Sequence, residues 1–163
     1  MLYISYRGIF DGQNFEKQNT PDQIGTAFNA GFSCMVDIWR IDNKMYLGTE
    51  NAPIEVTERY IQGNRFWLNC QNDDAYNYLV AQPRKLYPNV FKFSNVETES
   101  TPATSTGGQT IVPGNVPIDN NSIVYLPEIV DRGLFSIVKL RNYGVCSVYL
   151  TFIKRMRNEG VWY

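Results

Sequence analysis

Histidine is absent from all 163 residues of this chain, and its absence excludes several kinds of active site. Histidine is the usual general base of Ser-His-Asp and Cys-His sites and the commonest metal ligand in proteins. Neither kind of nucleophilic site can therefore form, nor can a histidine metal centre. Cysteine is scarce, and Cys34, Cys70 and Cys146 lie far apart in apolar, strand-like segments without a C-x-x-C spacing. We expect small buried thiols.

Long apolar runs and an excess of charge are missing as well. No run approaches the roughly 18 residues of a membrane-spanning helix, and the first residues lack the basic and apolar regions of a signal peptide. The formal net charge of −1 gives no electrostatic reason for binding to nucleic acid. We therefore expect no membrane span, no nucleic-acid partner and no cofactor, and a cytoplasmic or virion location.

The length indicates a single domain, but it is short for a complete eight-stranded α/β barrel of about 250 residues. Aromatic residues make up 14% of the chain, which supplies large side chains for a core and for interfaces with other proteins. A barrel built from this chain would have to be trimmed or incomplete.

Strand and helix signals alternate along the chain. Residues 3–6 read as a strand, Thr20 and Pro21 as the start of a helix that Gly31 ends, and residues 34–39 as the next strand. This order predicts a parallel β-α-β unit. Further strands are predicted over residues 45–47, 65–70, 90–93, 122–126 and 145–150. Helices are predicted over residues 55–62, 73–81 and 129–140. Residues 95–121 are predicted to be mostly loop.

The hairpin over residues 31–50 carries an acid, Asp37, in the middle of an apolar strand. A buried carboxylate without a partner costs several kcal/mol, so Asp37 must be paired, face water or belong to a site. Glu50, just past the second strand, is the expected companion of Asp37, and Arg7 is the expected counter-ion. The Arg7–Asp37 pair has two interpretations, a remnant anion pocket or a structural ion pair.

The first strand and this hairpin each contain a stretch that resembles a motif of a known family. The stretches MLYISYRGIFDG, at residues 1–12, and GFSCMVDIW…KMYLGTEN, within residues 31–51, are similar to motifs of the glycerophosphodiester phosphodiesterase and phosphoinositide phospholipase-like TIM barrels, in particular a short subgroup. TSTGGQTIVPG, at residues 104–114, resembles another block of that subgroup. The resemblance implies a compact or incomplete (β/α) TIM-like barrel over residues 1–150.

The departures from the family pattern fall on its catalytic positions. Tyr6 and Thr49 stand where the resemblance implies the two histidines, and Met35 stands where it implies a metal-binding Glu. Asn69 and Gln71 replace a His and a Lys of the subgroup, and Val148 replaces an Asp. The resemblance thus implies a vestigial pocket made of Tyr6, Arg7, Met35, Asp37, Thr49, Glu50, Asn69 and Gln71, with no catalytic residue.

These substitutions predict a pseudoenzyme that serves as a structural or interaction component. The resembled subgroup is associated with viral and bacterial surface-polysaccharide genes, which implies a component of a virus particle. The alternatives are a glycerophosphodiesterase-like hydrolase and a small-ligand-binding module that uses the vacated pocket. Asp37 and Glu50 are candidate ligands for an oxygen-only Mg²⁺ or Ca²⁺ site, but Met35 removes the carboxylate that would complete it.

Residues 151–163, TFIKRMRNEGVWY, form a predicted C-terminal extension that combines basic and apolar side chains. Its Phe152, Ile153, Trp162 and Tyr163 are of the types enriched at interface centres. We expect the extension to bind a protein partner or another copy of the chain. The competing interpretation is that it packs over an open edge of its own incomplete barrel.

Overall fold

The computed structural model, which describes residues 1–49, 51, 53–93, 102–113, 118–126 and 142–160, contains both strands and helices. The strands are β1 (Leu2–Tyr6), β2 (Ser33–Ile41), β3 (Lys44–Leu47), β4 (Ile54–Val56), β5 (Phe66–Cys70), β6 (Val90–Phe91), β7 (Ala103–Thr104), β8 (Thr110–Pro113), β9 (Ser122–Tyr125) and β10 (Gly144–Ser147). The helices are α1 (Pro21–Asn29), α2 (Asp73–Ala81) and α3 (Leu150–Glu159). The helix predicted over residues 129–140 lies outside the described residues, as do Glu50, Trp162 and Tyr163.

The strands form one sheet that is mainly parallel. Its parallel order is β6-β5-β2-β1-β10-β9-β8, and the pairing of β1 with β2 around α1 confirms the predicted β-α-β unit. The antiparallel strands lie at the margins, where β3 and β4 extend the far end of β2 and β7 pairs with β8.

This sheet is curled. Side chains from all of its parallel strands meet in one inner cluster, which contains Ile4, Met35, Trp67, Phe91, Ile111, Ile123 and Cys146. The two ends of the parallel order also approach each other, because the backbone N–H of Thr106, in the β7–β8 turn, donates to Val90 O at 2.9 Å. The Val90 N–H donates to Thr106 Oγ1 at 3.0 Å. The architecture is a mixed α/β fold with a curled sheet, compatible with an incomplete barrel.

The helices cover the outer face of the sheet. Ile24 of α1 and Leu79 of α2 join one cluster with Val36 and Leu68, and Leu150 and Ile153 of α3 join a second with Val124 and Val145. Inner and outer residues alternate along each strand, as the twofold periodicity of a strand requires. Cys34, Cys70 and Cys146 are buried thiols that form no disulfide, which confirms the prediction.

Local signals explain why these segments start and stop where they do. The Thr20 side chain accepts a hydrogen bond from the Gln23 N–H and Pro21 opens α1, while the Asn72 side chain caps α2 by accepting from the Ala75 N–H. Between β2 and β3, Asp42 and Asn43 both have positive φ, 49° and 63°. Such φ values are those of the two-residue hairpin turn whose twist matches the strands.

Three sequence predictions need correction. Residues 55–62 are not a helix, because Ile54 and Val56 pair with β3 as the short strand β4. The segment predicted to be mostly loop contains β7 and β8, since the β-forming run Thr110–Pro113 pairs in parallel with β9. The last strand ends at Ser147 rather than at residue 150, where α3 already begins.

The C-terminal helix is part of this fold. Ile153 of α3 is 0% exposed and lies in the outer cluster with Phe32 and Val145, so its predicted place in an interface is wrong. A helix that starts at Leu150 needs an apolar stripe against the sheet, and Ile153 and Met156 supply it. The helix thus packs back on its own sheet, as the competing interpretation held, but on the outer face of β9 and β10 and not over an open edge. Phe152, on another side of the helix, is 38% exposed.

Candidate functional site

A polar cavity of about 480 Å³ opens at the carboxyl ends of the parallel strands. In folds with parallel strands and covering helices, ligands bind at this end of the sheet. The cavity is lined from β1, β2, β5, β6 and β9 and the residues that follow them: Tyr6, Arg7, Asp37, Asn69, Cys70, Gln71, Lys92, Phe93, Tyr125 and Leu126. Five of the residues predicted for a vestigial pocket, Tyr6, Arg7, Asp37, Asn69 and Gln71, are therefore brought together.

Strand periodicity places the polar residues directly above the inner apolar cluster. Asp37 follows Met35 by two residues on β2, and Asn69 follows Trp67 by two on β5, so each pair shares the inner face. The parallel register aligns Asp37 with Asn69. On both strands, the inward-facing residue is therefore apolar in the cluster and polar two residues later, where the cavity begins.

Asp37 is the most highly connected residue of the site, although it is only 3% exposed. Arg7 Nε lies 2.6 Å from Asp37 Oδ2 as an ion pair, without the geometry of a hydrogen bond. Gln71 Nε2 donates to Oδ1 at 3.1 Å, Asn69 Nδ2 to Oδ1 at 3.5 Å and Asn19 Nδ2 to Oδ2 at 3.3 Å. The predicted tie between Asp37 and Arg7 is confirmed.

The surroundings of Asp37 act on its pKa in opposite directions. Burial raises the pKa of the Asp37 carboxyl, because the charged form loses its hydration, and this effect prevails. The Arg7 charge and the amide donors lower it and so offset part of the effect. Both oxygens are thus occupied by donors from the protein itself.

The backbone around Arg7 is shaped to aim its side chain at Asp37. Arg7 has φ +55°, its N–H donates to Met35 O at 2.8 Å, and its carbonyl accepts from the Asn19 N–H at 2.9 Å. A Cβ at Gly8, where φ is +88°, would lie 3.0 to 3.2 Å from atoms of Gln23 and Ile24. Arg7 is thus held by a tight turn against α1.

Asn19 completes the arrangement and was not predicted from the sequence. Its Oδ1 accepts the Asp37 N–H at 3.0 Å, its Nδ2 donates to the Asp37 carboxylate, and its own φ is +56°. Asparagine tolerates the left-handed backbone conformation better than other residues with a side chain. An asparagine just before the cap of α1 was the available signal, but nothing in the sequence linked it to Asp37.

Aromatic rings form the opposite wall. Tyr6 and Tyr125 meet edge to face with ring centroids 5.7 Å apart, Phe93 lies 4.7 Å from Tyr125, and Arg7 Cζ lies 4.5 Å above the Tyr6 ring. Burial raises the pKa of both Tyr6 and Tyr125. These phenols therefore remain protonated at neutral pH and cannot act there as general bases.

Lys92 adds a second positive charge to the lining. Its side chain is 47% exposed, and its Nζ forms an ion pair with Asp73 at the start of α2. With Arg7, Lys92 and Asp37, the lining carries two positive charges and one negative charge. Four lining residues were not predicted, because the sequence does not show that the ends of β6 and β9 adjoin the end of β1: Lys92, Phe93, Tyr125 and Leu126.

The remaining predicted pocket residues lie elsewhere. Met35 is buried in the inner cluster, one inward position below Asp37, and does not line the cavity. Thr49 is exposed and is also absent from the lining, because β3 pairs with the far end of β2, beyond the rim. Assigning Met35 and Thr49 to the pocket was therefore wrong in position. Glu50 lies outside the described residues.

The described residues of this site do not fit a divalent metal ion. Mg²⁺ and Ca²⁺ need several oxygen ligands with free lone pairs, whereas the Asp37 oxygens already face Arg7 and three amide groups. The residue two positions before Asp37 on the same face is Met35, a thioether. Within the described ranges, no group of three or more His, Cys, Asp or Glu residues could hold a metal.

Comparison with protein-family models, with curated proteins and with solved structures finds no match for this chain. The phosphodiesterase resemblance therefore rests on the sequence motifs alone. Among the described helices, none combines the length and the apolar character needed to cross a membrane.

Proposed function

We propose that this chain is a catalytically inactive protein with a phosphodiesterase-like, incomplete TIM-type barrel, which works by binding rather than by turnover. The observation that carries the proposal is the state of Asp37, whose carboxylate is occupied by Arg7, Asn19, Asn69 and Gln71. A carboxylate so engaged is a poor metal ligand, because an arginine and three amide donors already face its two oxygens.

The other groups of the cavity support inactivity. Hydrolysis of a phosphodiester requires one group that accepts a proton and another that protonates the leaving alkoxide near neutral pH. The chain has no histidine, burial raises the pKa of the Tyr6 and Tyr125 phenols, and Asn69 and Gln71 carry neutral amides. No acid/base pair is therefore available in the described lining.

A turnover assay tests this proposal. We expect no release of product from a glycerophosphodiester or a phosphoinositide, with Mg²⁺ or with Ca²⁺, while an active phosphodiesterase in parallel reactions verifies the assay. Turnover by the wild-type protein that disappears in the Asp37→Asn variant would overturn the proposal. Asp37→Asn is the matched variant because it keeps the side-chain shape while removing the charge.

The interaction role, with a virus particle as its setting, is proposed for the C-terminal residues. Within the described part of the extension, Phe152 is partly exposed while Ile153 is buried, so Phe152 is a residue that a partner can engage. Trp162 and Tyr163 lie outside the described residues and stay predicted anchors. A variant truncated after Gly160 keeps every residue of α3 and its C-terminal cap. Loss of self-association in analytical ultracentrifugation, with an unchanged melting temperature, would support this role. A destabilised chain that still assembles would contradict it.

A second candidate function, a small-ligand-binding module, is favoured by the cavity itself. Its volume of about 480 Å³ falls within the range of about 300 to 1,000 Å³ that is typical of small-molecule sites. Its polar groups converge from β1, β2 and β5, and hydrogen bonds hold Asn69 and Gln71 before any ligand enters. Such preorganisation lowers the entropy cost of binding.

A further inference from the structure

We infer that the cavity binds a small organic oxyanion without the help of a divalent metal, an inference that rests on the second candidate function above. The ligand would present a carboxylate or phosphate head to Arg7 and Lys92 and a short apolar body to the aromatic wall. The juxtaposition of two cationic side chains, one neutralised carboxylate and an apolar wall in one cavity carries this inference.

The positive charge beside Asp37 comes from the chain itself. Arg7 Nε is 2.6 Å from Asp37 Oδ2, so a guanidinium provides the counter-charge that a bound metal ion would otherwise provide to this carboxylate. Arginine keeps its charge at all ordinary pH values. The positive charge at this point of the cavity is therefore built into the chain, and chelators cannot remove it.

Arg7 and Lys92 keep hydrogen-bond donors that a ligand could use. The Arg7 side chain is 28% exposed, Nη1 donates to Gln18 Oε1 at 3.1 Å, and Nη2 has no acceptor among the described residues. Lys92 Nζ has a single described partner, the well-exposed Asp73, and an exposed ion pair of this kind holds its charges loosely. Both cations can thus turn donors toward an anion.

The volume and the apolar residues of the cavity indicate the size and kind of ligand. A cavity of about 480 Å³ exceeds what a bare inorganic oxyanion would fill, since sites of this volume hold drug-sized molecules. Phe93, Tyr125 and Leu126, whose side chains are largely apolar, are among its lining residues. An oxyanion that carries an aromatic or short aliphatic group therefore matches the lining better than an inorganic ion does.

Isothermal titration with three probes tests the inference. Phenyl phosphate and benzoate each carry an oxyanion and a ring, and benzyl alcohol carries the ring without the charge. We expect saturable binding of at least one of the two anions, binding at least tenfold weaker for the alcohol, and no change when EDTA is added. Absence of saturable binding by both anions, equal binding of the alcohol, or loss of binding in EDTA would overturn the inference.

A pair of lysine variants locates the site. Lys92→Gln removes the cavity charge and should weaken anion binding about two- to fivefold, the effect of one exposed charge. Lys44→Gln is the matched control, because Lys44 is also an exposed lysine, paired with Glu55 outside the cavity, and should leave binding unchanged. Equal effects of the two variants would place the binding elsewhere and contradict the inference. Release of phosphate from phenyl phosphate would instead refute the proposed inactivity and leave the binding result intact.

Discussion

The inward-facing residues of β2 and β5 form two layers of different polarity. In the lower layer Met35 and Trp67 belong to an apolar cluster. In the upper layer, two residues further along each strand, Asp37 and Asn69 face the cavity as polar, nearly fully buried groups. The fold and its candidate site are therefore built from the same strands, and the polar side chains of the site begin where the apolar layer ends.

The two layers satisfy their polar atoms differently. In the upper layer each Asp37 oxygen faces several donors, and Asn69 Oδ1 accepts the Phe93 N–H at 2.9 Å. In the lower layer Trp67 Nε1 is buried without an acceptor among the described residues, a state that usually costs about 1 to 3 kcal/mol. The side chains of Asp37 and Asn69 thus have hydrogen-bond partners, whereas the indole N–H of Trp67 and the Nε of Arg7 lack one among the described residues.

The largest effect is expected when the polar layer is made apolar at its centre. Asp37→Leu would leave Arg7, Asn19, Asn69 and Gln71 without their shared acceptor, and breaking a buried ion pair in this way costs about 3 to 5 kcal/mol. Met35→Leu, in the lower layer of the same strand, should cost less than about 1.5 kcal/mol because it conserves volume. Urea unfolding of the two variants measures the difference.

Asp37→Asn separates charge from shape in that comparison. Its amide can still accept hydrogen bonds through one oxygen, so we expect a loss between those of the other two variants. Equal stability of the Asp37→Leu and Met35→Leu variants would show that the polar layer is not structurally required. In that case the network around Asp37 would have to be assigned entirely to ligand binding.

Local signals made much of the fold predictable. The cap at Thr20, the strand at residues 34–39 and the hairpin over residues 31–50 depend on signals within a few residues, and each was confirmed. The strand β4 was mistaken for a helix because its pairing with β3 decides its conformation. Pairing between segments outweighs local propensity, and a single sequence does not reveal it.

The site was predictable only in part, for a related reason. Asp37 was recognisable because an acid in an apolar strand needs a partner, and Arg7 proved to be that partner. Asn19 and Lys92 were missed, since their approach to the cavity depends on how the loop before α1 and the end of β6 are folded. Such placements follow from tertiary contacts, which have no short sequence signature.

The next largest effect is expected on the outer face, at α3. Ile153→Ala removes a fully buried side chain from the cluster with Val145 and Phe32 and should lower the free energy of unfolding by about 2 to 5 kcal/mol. Phe152→Ala, one residue earlier on the same helix, should cost about 1 kcal/mol or less because its side chain is partly exposed. Similar losses in thermal unfolding would contradict the assignment of Ile153 to the core.

A smaller effect is expected from the buried thiols at alkaline pH. Burial raises the pKa of Cys34 and of Cys70 from 9.0 to about 12. Unfolding lets each thiol ionise near pH 9, so their contribution to stability is complete below about pH 9 and is lost as the pH rises toward about 12. The free energy of unfolding should therefore fall less steeply over this range in a Cys34→Ala variant than in the wild type. Parallel pH profiles of the two proteins would contradict this.

The smallest effect is expected from an exposed ion pair that has the same chemistry as Arg7 and Asp37. Arg155 Nε lies 2.8 Å from Glu159 Oε1 on α3, and both side chains are well exposed. Pairs of this kind contribute about 0.3 to 0.5 kcal/mol, and the order with the cation first is the weaker one on a helix. Arg155→Gln should therefore lower the free energy of unfolding by no more than that amount, and added salt should erase the difference. Because Asp37 is nearly fully buried, salt should leave the cost of Asp37→Leu nearly unchanged. An equal salt dependence of the two variants would show that water reaches the Asp37 carboxylate.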